Sequence, residues 1–148
     1  MYDGAMAFVL DDHGYLRDPN LHDGLVDGIH LPSDTAVTVS LRDIQGQRFS
    51  MQLIGAVAFV CDDFRLGNII LDVQIASRVT PDMDTLGSLF GTPHPSAAEG
   101  HARALERYAE KIREGTLALV TINPSYGCTL TALCREVLIS RASTPLAL

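Results

Sequence analysis

Few residues in this chain have the type and spacing to do chemistry, and they fall into two groups. His22-Asp23 sets an imidazole beside a carboxylate, and both can serve a divalent metal. Pro19-Asn20 precedes the pair and a strand pattern follows it, so its simpler role is to start that strand through side-chain to backbone hydrogen bonds. Asp62-Asp63 forms the second group, with Asp72 on the next strand, because oxygen ligands from two strands can converge near their shared turn. Arg65 lies within reach of either turn carboxylate as an ion-pair partner, although an exposed pair of that kind adds little stability. His22, Asp23, Asp62, Asp63 and Arg65 are therefore the candidate binding residues. No catalytic residue and no metal-ligand set is assigned.

The remaining reactive residues are weaker candidates. His94 and His101 flank a helix start with no nucleophile beside them, and Ser96 reads as the helix cap. Cys61, Cys128 and Cys134 sit in apolar, strand-like runs where a reduced thiol acts as a small hydrophobe. The spacing of the last two fits no zinc pattern. A Walker lysine motif and a strand-linked Gly-x-Gly-x-x-Gly unit are both missing, and Lys111 is the sole lysine, which excludes those kinds of nucleotide chemistry. No cofactor is expected.

The elements that must position these residues are mostly strands. From Leu21 to Ser77 apolar and polar residues alternate almost strictly between short turn signals, the pattern of an antiparallel meander. Ala5 to Leu10 reads as a first strand and Leu25 to Leu31 as a second. In a third, Val37, Val39 and Leu41 oppose Thr38, Ser40 and Arg42. Asp43 to Gln47, with Gly46, is a hairpin turn. A long fourth strand runs from Arg48 to Val60, with Gly55 as a bulge and its second half covered on both sides. In the fifth, Ile69, Leu71, Val73 and Ile75 share a face, and Ile70 breaks the pattern. Thr80-Pro81-Asp82 starts a short helix that Gly91 ends. Ser96 and Glu99 form a capping box for the main helix, about residues 96–114, which Gly115 stops. Thr116 to Ile122 and Thr129 to Ile139 then make a C-terminal hairpin around Asn123 to Gly127, and the tail from Ala142 has no periodicity.

The fold class expected is α+β, with an antiparallel sheet of about five to seven strands and the main helix packed on one face, in a single domain over 1–148. The chain has 148 residues, 47% of them hydrophobic and 20% charged, which suits one globular core. Its longest apolar run, Leu53 to Cys61, is too short to cross a bilayer, and the start lacks the basic region of a signal peptide. A cytoplasmic protein with no membrane partner is expected. The net charge is −7, and it is one-sided. Residues 1–94 carry 13 Asp against 5 Arg, whereas residues 95–148 carry 5 Glu against 6 basic residues. Such acidity repels phosphate backbones and disfavours nucleic acid, while it favours a basic protein partner.

Leu21-His22-Asp23-Gly24, followed by Val26, Ile29 and the alternating strands through Gly55-Ala56-Val57, resembles the opening of small bacterial toxin-immunity protein families. The resemblance spans about residues 20–77 and implies a cytoplasmic inhibitor that binds and blocks a toxin without catalysis. The leading expectation is therefore a non-enzymatic protein-binding module, and no enzyme. One alternative is a small metal-dependent hydrolase using His22, Asp23, Asp62 and Asp63, which requires those side chains to converge. Another is a homo-oligomeric structural protein that pairs an apolar sheet face with its own copy.

Overall fold

Alternation of two residues makes strands, and strands dominate the computed structural model, which describes residues 2–143. In chain order these are β1 (Tyr2–Met6), β2 (Val9–Leu10), β3 (Leu16–Asp18), β4 (Leu25–Ser33), β5 (Ala36–Arg42), β6 (Arg48–Ile54), β7 (Ala58–Asp62) and β8 (Asn68–Ala76). Two helices follow, α1 (Met83–Ser88) and α2 (Ala98–Glu114), and then β9 (Ala118–Tyr126), β10 (Thr129–Cys134) and β11 (Glu136–Ala142). The tail beyond Ser143 lies outside the described residues.

The β5–β6 hairpin forms as its pattern dictates. Val37, Val39 and Leu41 face Leu53, Met51 and Phe49 in register, and all six are buried. Gly46 turns the chain at φ 84°, and the Asp43 carboxylate accepts from the Gln45 and Gln47 backbone N–H groups at 2.9 Å. Both hydrogen bonds favour the turn over an extended chain.

Nine strands form one antiparallel sheet in the order β1-β11-β6-β5-β4-β8-β9-β10-β7, with β2 and β3 as a separate ribbon. The expected sheet of about five to seven strands is corrected: among the described residues the sheet has nine strands, and eleven strands form in all. Three long apolar runs each split in two: Ala5 to Leu10 at Ala7-Phe8, Arg48 to Val60 after Ile54, and Thr129 to Ile139 at Arg135. The last two breaks face each other. At the first, Gly55 takes φ 65°. At the second, the Arg135 backbone N–H donates to the Ile54 carbonyl at 3.0 Å, and the Arg135 side chain lies where a Cβ on Gly55 would stand. Pairing resumes beyond the corner with Val57 N–H on the Leu133 carbonyl and Ala58 opposite Leu133. Two adjacent strands thus bend together and roll the sheet around one large core, which holds residues of β5, β6 and β11 together with residues of β8, β9 and β10.

A smaller core lies on the outer face of β9 and β10. There Leu119 and Leu133 meet Ala109 and Ile112 of α2, with Leu86, Leu89 and Leu117. The helix packs on one face as expected, and among the described residues its cluster includes none from β4, β5 or β6. β7 is covered on both sides, its Ala58 and Val60 packing against the helical cluster and its Phe59 and Cys61 against the large core. Phe90 stacks on Tyr108 with ring centroids 5.1 Å apart and ties the connector after α1 to α2.

Helix starts depart from expectation in one place. Asp82 caps α1 by accepting from Thr85 N–H at 3.0 Å. Ser96 does not cap α2. A single 3₁₀ turn, Pro95–Ala97, precedes that helix, and its cap is His94, whose Nδ1 accepts from Ser96 N–H at 3.2 Å and bonds the Ser96 hydroxyl at 2.7 Å. Pro95, set at the first position of a turn, begins winding one residue too early for Ser96 to act. Gly115 ends α2 in the left-handed conformation, as expected.

The fifth expected strand is present as β8 with its faces reassigned. Ile70, Val73 and Ile75 are buried, whereas Leu71 is exposed. The β8–β9 ladder pairs Ile70 with Pro124 and then Asp72 with Asn123, so Leu71 is an extra residue that shifts the alternation. The C-terminal hairpin also turns later than expected, at Gly127-Cys128, because Asn123 to Tyr126 extend β9.

Candidate functional site

The turn between β7 and β8 gathers three of the five candidate residues, Asp62, Asp63 and Arg65, and a buried asparagine holds it together. Asn68, first in β8, is 1% exposed. Its Oδ1 accepts from Arg65 N–H at 2.8 Å and Cys128 N–H at 3.1 Å. Its Nδ2 donates to the Arg65 carbonyl at 2.6 Å and the Val26 carbonyl at 3.3 Å. One amide thus fixes the 63–67 turn to β4 and to the β9–β10 turn. Gly127, at φ 88°, completes the joint, because a Cβ there would collide with Asn68 Oδ1.

The turn is compact because Asp63 at φ 63° and Gly67 at φ 75° both adopt left-handed backbone, which Asp tolerates and Gly favours. Arg65 Nε donates to Asp63 Oδ1 at 2.8 Å, and its guanidinium lies 5.9 Å from the Tyr126 ring centroid. The Asp63 carboxylate holds the Arg65 guanidinium above its ordinary range. Between these anchors Leu66 projects 97% exposed, beside Phe64 at 48% and Tyr126 at 50%. An apolar tip therefore stands on a fixed base with Asp62 and Asp63 at its flank. Sequence reasoning missed Asn68, Phe64, Leu66 and Tyr126. The usable signal was two large apolar residues inside an Asp- and Gly-rich turn, where no core needs them.

His22 and Asp23 are engaged elsewhere. His22 Nδ1 donates to the carbonyl of the extra residue Leu71 at 2.7 Å, and Nε2 is 3.5 Å from Asp23 Oδ2. Asp23, at φ 62°, donates its backbone N–H to the Ile70 carbonyl at 2.8 Å. The pair latches the start of β4 onto β8. Asp72 is engaged on β9, where its carboxylate accepts from Asn123 Nδ2 at 2.7 Å. Among the described residues no three His, Cys, Asp or Glu side chains come together around a possible metal position. The convergence required by the metal-dependent hydrolase reading is therefore not formed.

Beneath the turn, burial pushes the Cys128 thiol up to about 12, with the neighbouring Cys61 thiol adding to the shift, and burial raises Cys61 as well. Neither is set up as a nucleophile. A cleft of about 540 Å³ lies between the 11–15 loop, the end of β8 and α1. Two of its polar side chains, Asp11 and Gln74, are already engaged by the 11–15 loop. Asp11 accepts from Tyr15 and His13 N–H and pairs with Arg17, and the Tyr15 bond above all holds its carboxyl below the usual range. Gln74 donates to the His13 carbonyl.

No family model matches the chain, and no curated protein or solved structure matches it either. No helix among the described residues is long and apolar enough to cross a membrane.

Proposed function

We propose that the protein is a non-enzymatic binding module whose contact element is the 62–67 turn, and that its partner is a basic protein. The observation that carries this reading is Leu66, 97% exposed on a turn whose Arg65 backbone is hydrogen-bonded to the buried Asn68 amide. Burying a Leu or Phe side chain contributes about 1.5–3 kcal/mol, and a fixed turn loses little entropy on docking. Aromatic and Arg side chains at an apolar centre with charges at the rim are the composition of an interface hot spot. Asp62, Asp63 and the acidity of residues 1–94 supply complementary steering toward a basic surface. Occlusion of a basic toxin, the immunity-type role, is one form of this activity.

The test starts from a partner isolated on the tagged protein at low salt. Leu66→Ser should weaken its affinity by at least about tenfold through faster dissociation. Asp62→Asn with Asp63→Asn should slow association and flatten its salt dependence. Full affinity in both variants would remove the turn from the interface.

A further inference from the structure

The nine-stranded sheet has two open edges, and the chain treats them differently. At one, β1 is exposed, carries Asp3 and Gly4, and breaks register between Tyr2 and Ala5. A charged, irregular edge discourages pairing with another chain. At the other, β7 keeps an unbroken five-residue register with β10, from Ala58 opposite Leu133 to Asp62 opposite Thr129. It contains neither Pro nor Gly, and no charge before Asp62. Among the described residues no strand pairs with its second edge.

This edge is open because β5 begins at Ala36, opposite Ile54, and so has no residue beyond the Gly55 corner to pair with β7. A groove of about 600 Å³ remains between it and the β4–β5 hairpin tip, lined by Leu31, Pro32, Val37, Val57 and Phe59. Asp34 also lines the groove, while Asp62 and Asp63 stand at the far end of β7. Neither Asp34 nor Asp62 has a cationic partner among the described residues. Unpaired backbone groups, an apolar trough beside them and a carboxylate toward each end specify a ligand: an extended strand, apolar in its middle and basic at its ends.

We infer that β7 takes up such a segment of the partner protein by strand addition, leaving the partner beside the Leu66 turn. The inference rests on the protein-binding reading and names the segment it recognises. Main-chain hydrogen bonds would supply affinity, and the groove would select side chains on alternate residues.

The probe is a blocked synthetic heptapeptide of alternating Val and Thr with Arg at both ends, titrated into the intact protein with amide exchange followed by NMR. Exchange of the outward β7 amides should slow at least about tenfold. N-methylating the peptide at alternate residues along one edge should weaken binding by about tenfold or more. The protein is untouched in that comparison, so misfolding cannot imitate the result. Absence of binding, or binding indifferent to N-methylation, overturns the inference. So does concentration-dependent protection of β7 without peptide, which would show that a second copy occupies the edge. An isolated partner that loses affinity with Leu66→Ser but is not displaced by the peptide would end the strand-addition inference and leave the binding reading standing.

Discussion

Replacing Asn68 by Ala removes one side chain and strands several backbone groups at once. Cys128 N–H and the Val26 carbonyl lose partners in a buried setting, whereas the Arg65 N–H and carbonyl lie in the turn, where water can replace the amide. Each buried group left unsatisfied costs about 1–3 kcal/mol. The Val26 bond is long at 3.3 Å, so it belongs at the lower end, and the two together come to about 3 kcal/mol. For a chain of this size that lowers Tm by roughly 10 °C. Asn68→Asp provides a control of the same shape. Its carboxylate still accepts from Arg65 and Cys128, but it brings an anion against two carbonyl oxygens. Protonation restores one donor, so the Asp variant should regain much of its lost stability as pH falls toward 4 and the Ala variant should not. Urea unfolding of the three proteins at pH 7 and pH 4 gives the comparison. An Ala variant within 0.5 kcal/mol of wild type, taking about 0.5 kcal/mol as the ordinary scatter of surface substitutions, would refute the role assigned to this amide.

Gly127→Ala forces a side chain into left-handed backbone and against Asn68, and should cost more than about 2 kcal/mol by thermal unfolding, with Asn68→Ala masking part of the loss because both act on one joint. Burial raises Cys128 to about 12 and Cys134 to about 11 from an unfolded value of 9.0. The folded state therefore holds these protons more tightly. Stability is complete below pH 9 and falls as pH rises from 9 toward those values, at about 1.4 kcal/mol per pH unit for each thiol. Cys128→Ala should flatten the slope of denaturation free energy against pH between 9 and 11 by that amount. Ile112→Ala opens a cavity under α2 and should cost about 2–5 kcal/mol, read from the urea midpoint at unchanged m value.

Local pattern made the β5–β6 hairpin, α2 and the Gly115 stop legible, because each depends on residues within a few positions of one another. Failures share a different cause. One added residue at Leu71 reverses which apolar side chains of β8 face inward, and no period-two count reveals where a strand holds an extra residue. The corner at Gly55 depends on Arg135, and a glycine alone does not distinguish a bulge from a change of direction. His94 displaced Ser96 as a cap because Pro95 began the turn. At the candidate site, Asp62, Asp63 and Arg65 were found through charge, whereas Asn68 was hidden because its partners lie on β4 and in the β9–β10 turn. His22-Asp23 was legible as a strand start, and its bond to Leu71 required the tertiary structure.

The seat of β11 also bears on how the chain reaches its fold. β11 lies between β1 and β6, residues made at least 82 positions earlier than those they face, since Glu136 pairs with Ile54. During synthesis the apolar run Phe49, Met51 and Leu53 must wait on an open edge until the last strand arrives. Contacts this remote in sequence close slowly, and the waiting strand is a surface on which nascent chains can join one another. Dilution during refolding, or a chaperone that shields β6, should therefore govern the yield of native protein more than final stability does.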